Sequence, residues 1–251
     1  MTPYARRGVH GQTVESLARL VLGGRIAEGA TLDLPALQAE FDVSLTVLRE
    51  ALKVLAAKGM VDARQKRGTF VRPRAEWNLL DPDVLGWRFA AAAGQRADTA
   101  LLHDLGEMRG IVEPAAAGLA ARRRDDADLA ALDAALTAMG EAGSDPAAAV
   151  RADLAFHRAL LAAAHNELIA GMVALIEPGL AHRDRIVHSS LRRDPVPGHR
   201  AVLDAVRAGD GEAASAAVHT LLEAAGHDLE QAHRAGPADS GPAASPAKDA
   251  G

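Results

Sequence analysis

Asp153 and His157 stand four residues apart in a stretch whose apolar spacing predicts a helix. On a helix their side chains lie about 40° apart and one turn along. A carboxylate and an imidazole so placed can grip one divalent ion. His199, near the start of a later predicted helix, offers a third ligand. The same pair would equally make an ordinary hydrogen bond. Arg109 and Glu113 repeat the spacing on an earlier helix. They form either a surface ion pair, which contributes little, or an inward arginine whose two-pronged guanidinium binds a carboxylate. Asn166 either meets the same ligand or caps the next helix. Near the N-terminus, Arg49 follows Ser44, Leu45 and Thr46, with Lys53 a turn further on. Arg64, Lys66 and Arg67 then crowd a short turn before Gly68. These side chains suit phosphate oxygens and base edges, unless Arg49 simply pairs with Glu50 or Asp42 and the turn is only solvated. His103, His182, His188, His227 and His233 are assigned to surface or packing roles.

The elements that position the N-terminal set read clearly. Val14, Leu17, Ala18, Val21 and Leu22 have helical spacing, and Gly23-Gly24 ends that helix. Pro35 to Phe41 predicts a short helix, and Asp42-Val43 a turn. Ser44 is a good N-cap for a helix from Thr46 to Lys58, with Gly59 as its stop. Met60–Ala63 and Thr69–Arg72 read as two strands around the basic turn. The order is that of a winged helix-turn-helix, which lays its second helix in the major groove. Trp77 and Trp87 fall in the following connector, and such rings usually pack a chain down. From Asp98 to Arg234 the pattern is helical throughout, an all-α bundle of six to seven helices. Its helices run from Asp98 to Arg123, from Asp125 or Asp126 to Met139, from Asp145-Pro146 to Ala164, from Glu167 to Leu191, from Gly198 to Ala208, and from Gly211 to His233. The fold class is mostly α. The division is 10–74 for the winged domain, 75–97 for a linker, 98–234 for the effector-binding and dimerisation domain, and 235–251 for a disordered tail.

Composition narrows the function. None of the 251 residues is cysteine, which excludes disulfides, thiolate nucleophiles and Cys-ligated zinc. Aromatics are 3% of the chain, too few for base-stacking platforms. Residues 1–78 hold 12 Lys and Arg against 8 Asp and Glu, and the remainder 16 against 25. A basic first third on an acidic remainder suggests that one part meets a polyanion. No apolar run is long enough to span a membrane, and the first ten residues lack a signal-peptide core, so the expected location is the cytoplasm.

Val43-Ser44-Leu45-Thr46-Val47-Leu48-Arg49-Glu50-Ala51-Leu52, then Gly59-Met60-Val61 and Arg67-Gly68-Thr69-Phe70-Val71, resemble the DNA-binding domain of GntR-type bacterial transcription regulators. The family usually has arginine after the serine, where this chain has Leu45. That departure implies a different base preference, with Leu45 suited to a thymine methyl. Further on, Glu107-Met108-Arg109-Gly110-Ile111-Val112-Glu113-Pro114, Asp153-Leu154-Ala155-Phe156-His157, His165-Asn166 and His199 resemble the FCD effector domain of the FadR subgroup. The resemblance implies a zinc, nickel or manganese ion on Asp153, His157 and His199, and an effector carboxylate on Arg109 with Glu113 and Asn166. The family's further histidine falls where this chain has Leu221; His219, two residues away, should face elsewhere. The linker Trp77-Asn78-Leu79-Leu80-Asp81-Pro82 and Val84-Leu85-Gly86-Trp87 is similar to that of galactonate-operon repressors, which implies a sugar-acid effector.

The expected function is a homodimeric transcription regulator, a repressor, on palindromic double-stranded operator DNA. A small carboxylate metabolite would enter the helical domain and change the spacing of the two DNA-binding domains. A metal-dependent enzyme built on Asp153, His157 and His199 is the alternative, though no general base or nucleophile with an orienting partner stands beside them. A sequence-indifferent DNA-packaging protein is weaker still, because packaging needs no buried polar cluster.

Overall fold

The computed structural model describes residues 8–92, 96–190 and 194–235. The expected tail, 235–251, lies outside the described residues except for its first position. The element order is α1 (Gly8–Leu22), α2 (Leu34–Phe41), α3 (Leu45–Ala57), β1 (Val61–Arg64), β2 (Gly68–Val71), then α4 (Pro82–Ala92). It continues with α5 (Arg96–Arg123), α6 (Asp126–Glu141), α7 (Pro146–Ala163), α8 (Glu167–Gly171), α9 (Val173–Ser190), α10 (Val196–Ala208) and α11 (Gly211–Ala235). By packing the chain divides into two compact units. Among the described residues, one holds 8–92 and 96–108 with 171–182, the other 109–170 with 183–190 and 194–235.

The first unit is built around a core of Val14, Leu17, Val21, Leu48, Leu52, Leu55 and Met60. Asp33 caps α2, accepting from the Ala36 N–H at 3.0 Å, and Asp42 ends that helix in the left-handed region (φ 50°). Ser44 then caps α3, its hydroxyl oxygen accepting from the Val47 N–H at 3.3 Å. Gly59 (φ 74°) closes α3 against the Glu76 carbonyl, where an added Cβ would sit 2.7 Å from that oxygen. Strands β1 and β2 pair antiparallel with Val61 opposite Val71 and Arg64 opposite Gly68. This is the winged helix-turn-helix order.

The connector between this wing and α5 is not irregular. A 3-10 turn at Arg74–Glu76 leads into α4, and Trp77, Val84 and Trp87 join the first core. The Trp77 indole N–H donates to the Arg72 carbonyl at 2.9 Å. Lys58, at the end of α3, is 4% exposed and pairs with Asp81 (2.7 Å) and Asp83 (2.8 Å) at the start of α4. A buried ammonium held by two carboxylates ties the end of α3 to α4, because removing any partner strands a charge away from water. Also in this unit, Gly179 of α9 lets Leu105 and Phe89 approach; a Cβ there would fall 2.2 Å from Leu105 Cδ2.

The second unit packs Ala117, Leu132, Leu136, Phe156, Leu160, Val202, Leu203 and Val218 into one core. Its helix starts carry their own caps. Asp125 and Asp128 form a reciprocal capping box on α6, Asp145 accepts from Ala147 and Ala148 N–H groups on α7, and Asp210 caps α11. One expectation needs correction. The helix read as Glu167–Leu191 is two helices, broken at Met172. Gly171 ends α8, and the Met172 carbonyl begins a new ladder by accepting from Leu175 and Ile176. Helical periodicity carries across such a break, so the apolar spacing did not show it.

Asp128 also receives His165 Nε2 at 2.6 Å. Burial alone would raise its carboxyl; the Asp125 N–H and the His165 imidazole outweigh that and hold it below its ordinary value of 3.8. A lowered folded pKa contributes stability above the unfolded value, which is lost as pH falls through the folded one. We therefore expect Asp128→Asn to lower the melting temperature at pH 7 by the equivalent of about 1 kcal/mol. At pH 3 the gap to the parent should narrow, and thermal melts at the two pH values check it.

Candidate functional site

On α3, Leu48, Ala51, Leu52 and Leu55 face the core. Thr46, Arg49 and Lys53 lie outward at helical spacing, and Ser44 is exposed ahead of them. Leu45 is half-buried. Lys53 pairs with Glu50 at 2.7 Å, so Glu50 is occupied and Arg49 makes no ion pair or side-chain hydrogen bond among the described residues. Ser44 keeps its hydroxyl hydrogen for an outside acceptor, its oxygen being used in the cap. In the wing, Lys66 sits at the tip with φ 67°, followed by Gly68 at φ 78°. Arg64 is exposed and lies 3.4 Å from Asp62. Arg67 donates to the Gly29 carbonyl at 2.9 Å and its guanidinium covers the Phe70 ring at 3.6 Å. Arg67 therefore braces the hairpin as well as presenting charge.

The second site lies in the helical unit. A cavity of about 440 Å³ is lined by Arg109, Asp153, His157, His199, Leu221 and Asp228, among others. Helix α5 contributes Arg109, α7 contributes Asp153 and His157, α10 contributes His199, and α11 supplies the wall with Leu221 and Asp228. Arg109 and Glu113 are not a surface pair: they are 4% and 0% exposed, with Arg109 Nε donating to Glu113 Oε1 at 2.6 Å. Arg109 Nη2 also stands 3.2 Å from His157 Nε2. On its other side His157 Nδ1 lies 2.9 Å from Glu113 Oε2. Burial would raise the Glu113 carboxyl; Arg109 and His157 outweigh that and hold it at about 2. Burial works the same way on Asp153, and His157 and His199 draw its pKa well below the carboxylate range. Both acids are ionised near neutral pH.

His199 carries the most specific geometry. Its Nδ1 faces the Pro195 carbonyl at 2.8 Å, and a carbonyl only accepts, so Nδ1 bears the proton. The Nε2 edge then turns to Asp153 Oδ1 at 3.1 Å, without the alignment of a hydrogen bond. Asp153 Oδ2 and His199 Nε2 are buried with no hydrogen-bond partner. The ligand atoms of Asp153, His157 and His199 all lie within 4.8 Å of one another. Two buried imidazoles and a carboxylate, with Asp153 Oδ2 and His199 Nε2 left unsatisfied, fit a divalent cation. The Pro195 carbonyl behind His199 and the Glu113 carboxylate behind His157 are the outer partners that orient metal-binding imidazoles.

Two expectations, for Asn166 and Glu113, differ from the structure, and that for Leu221 and His219 agrees with it. Asn166 is not among the cavity-lining residues; its Oδ1 accepts from the Leu168 and Ile169 N–H groups at 3.0 and 3.3 Å, capping α8. Its short side chain is thereby spent on the backbone. Glu113 lies behind Arg109 rather than on the cavity wall. Leu221 lines the wall while His219 is exposed. His182 is buried against Phe89, His103 and His227 are exposed, and the side chains of His188 and His233 lie outside the described residues. Sequence reasoning missed Thr220 and Asp228, which share the cavity face of α11 with Ala217, Leu221 and Ala224. Their signal was available as polar residues on the helix's apolar stripe.

The chain matches two family models: the gntR family of bacterial regulatory proteins over residues 10–71 and the FCD domain over residues 104–224. It is 31% identical over 222 residues to the galactonate operon transcriptional repressor of Escherichia coli K12, covering 87% of this chain and 95% of that protein. It is 32% identical over 208 residues to the HTH-type transcriptional regulator LutR of Bacillus subtilis 168, covering 79% and 91%. Among solved structures, a Listeria monocytogenes protein, Lar, described as controlling expression of the agr system, shares the fold with TM-score 0.61 at 19% identity, covering 91% of this chain and 98% of that one. No helix among the described residues is long and apolar enough to cross a membrane. Family and relatives are transcription regulators, which removes the metal-dependent enzyme as a reading. The chain belongs to the gntR family of bacterial regulatory proteins: it is a transcription regulator that joins a winged helix-turn-helix to an FCD effector domain.

Proposed function

We propose that this regulator is a homodimeric repressor whose operator binding is released by a small carboxylate, a sugar acid, held in the α5/α7/α10/α11 cavity with a divalent ion. The layout follows the sequence: residues 10–74 read DNA, 75–97 link, and 98–234 bind the effector. The observation that carries the reading is the buried set of Asp153, His157 and His199 beside Arg109 on one cavity wall. A zinc, nickel or manganese ion on those three side chains would leave room for an outside ligand, since Leu221 supplies no donor. When bound, the ion supplies a Lewis-acid anchor for an anion. Arg109, now resting against His157, would turn its fork to the effector carboxylate. The polar α11 residues Thr220 and Asp228 would meet hydroxyl groups, and the name of the Escherichia coli relative points to the same ligand class.

On DNA, Arg49 would reach base edges, with Ser44, Thr46 and Lys53 on phosphates and Leu45 against a thymine methyl. Arg64, Lys66, Arg67 and the Gly68 turn would place the wing on the neighbouring backbone. Two-fold symmetric proteins match palindromes, because one winged helix reads one half-site.

For the ion, metal analysis of the purified protein should find zinc, nickel or manganese. It should be lost in His157→Ala and in His199→Ala and retained in His219→Ala. No bound metal, together with no thermal shift on adding divalent ions, would leave Asp153 and His157 as an ion pair. For the function, a mobility shift on its own promoter region should exceed that on random DNA of equal length. Equal shifts would mean sequence-indifferent binding and remove the repressor reading.

A further inference from the structure

The two imidazoles of the candidate ion site are not equivalent. His199 Nε2 has no hydrogen-bond partner, so its lone pair is ready for an ion. His157 is engaged on both sides. Arg109 Nη2 stands 3.2 Å from its Nε2, and Glu113 Oε2 stands 2.9 Å from its Nδ1, off the line of a hydrogen bond. A guanidinium only donates and a carboxylate only accepts. Both neighbours therefore demand one tautomer, with the proton on Nδ1 and the lone pair on Nε2; the other tautomer would set donor against donor and lone pair against lone pair. Nε2 is also the nitrogen nearer Asp153, at 3.7 Å from Oδ2. An ion shared by Asp153 and His157 needs the very lone pair that Arg109 takes.

We propose that Arg109 and the divalent ion exclude each other at His157 Nε2, so that loading the ion is what releases the Arg109 fork to a carboxylate in the cavity. Glu113 is the pivot. Arg109 Nε donates to Glu113 Oε1 at 2.6 Å, and that contact can persist while Nη2 leaves His157. Arg109 is itself part of the cavity wall, so the released donors meet whatever anion the cavity holds. Ion and carboxylate then assist each other. The ion uncovers the arginine, and an anion that holds the arginine away uncovers His157. Linkage requires the two effects to be equal. The inference rests on the ion and the carboxylate of the proposed function and adds how their binding is coupled. Every group it uses lies on α5, α7 or α10 within the second unit.

The test is zinc affinity of the full chain, read by competition with a chromophoric chelator and with no effector present. Arg109→Lys keeps the positive charge beside Glu113, but the lysine Nζ ends one bond short of the arginine Nη2. It should bind zinc about fivefold more tightly than the parent, the worth of one net hydrogen bond no longer displaced. Because the charge is kept, the gain reads the lost contact and not a lost repulsion. A second measurement uses the parent alone and stands even if Arg109→Lys fails to fold. Long-range proton–nitrogen spectra of the histidines, with His157 assigned by its loss in His157→Ala, should show Nδ1 protonated and Nε2 bare. Zinc should then shift Nε2 and leave the Nδ1 proton in place. Zinc binding that is equal or weaker in folded Arg109→Lys, or a proton on His157 Nε2 before zinc is added, would overturn the exclusion and leave the ion site standing. A parent that binds no zinc would overturn both.

Discussion

Arg49→Ala should lose operator binding while the protein stays folded. Arg49 is exposed on the outward face of α3 and contributes nothing to the core below it. Its neighbour Glu50 is engaged by Lys53, so no internal ion pair is broken by the substitution. A bidentate arginine–guanine contact contributes about 1–3 kcal/mol. A dimer on a palindrome makes the contact twice, so the expected loss is about 2–6 kcal/mol, or roughly 30-fold to more than 10,000-fold in affinity. Lys66→Ala, on the wing tip, should cost far less and flatten the salt dependence by about one phosphate's share. Competition binding at two salt concentrations, with a melting curve for each variant, distinguishes the two effects. Parent-like affinity in Arg49→Ala would remove α3 as the reading element.

Arg109→Ala should strike stability before it strikes function. Glu113 is fully buried, and its carboxylate keeps only His157 once the guanidinium is gone. Breaking such a pair costs about 3–5 kcal/mol, because the surviving charge stays out of water. That is a large share of a typical domain's stability, so a lost response in this variant alone would not separate a binding role from a structural one. Arg109→Lys does separate them: it keeps a cation beside Glu113 and removes the fork that a carboxylate needs. The lysine variant should fold, bind operator like the parent, and ignore the effector. The double variant Arg109→Ala/Glu113→Ala removes both charges and should recover most of the lost stability without the response. Recovery of the response in either variant would mean that Arg109 serves the fold alone.

Much of this was legible in the chain itself. Ser44, Gly59 and the apolar spacing of Leu48, Ala51, Leu52 and Leu55 announce α3 and its limits, because caps and core contacts there are local. The i, i+4 spacing likewise announces Asp153 with His157 and Arg109 with Glu113. What spacing left undecided was direction. Whether Arg109 faces water or the interior depends on helices far away in sequence, and only packing showed Glu113 behind both Arg109 and His157. The same limit hid α4. Its sequence, with Pro82, Gly86 and two nearby tryptophans, reads as a connector, and the burial of Lys58 between Asp81 and Asp83 comes from residues more than 20 positions apart. Asn166 could serve a ligand or a helix start, and the backbone took it.

Fluorescence anisotropy of a labelled duplex carrying the protein's own operator tests the central claim most directly. The zinc-loaded parent is bound to the duplex, and a panel of aldonates and other small hydroxy-carboxylates is titrated in. A ligand releases DNA only if it binds the DNA-incompetent state more tightly. At least one sugar acid should lower the anisotropy to that of free duplex and raise the melting temperature of the parent, and do neither with Arg109→Lys. A panel that leaves both anisotropy and melting temperature of the parent unchanged would contradict it.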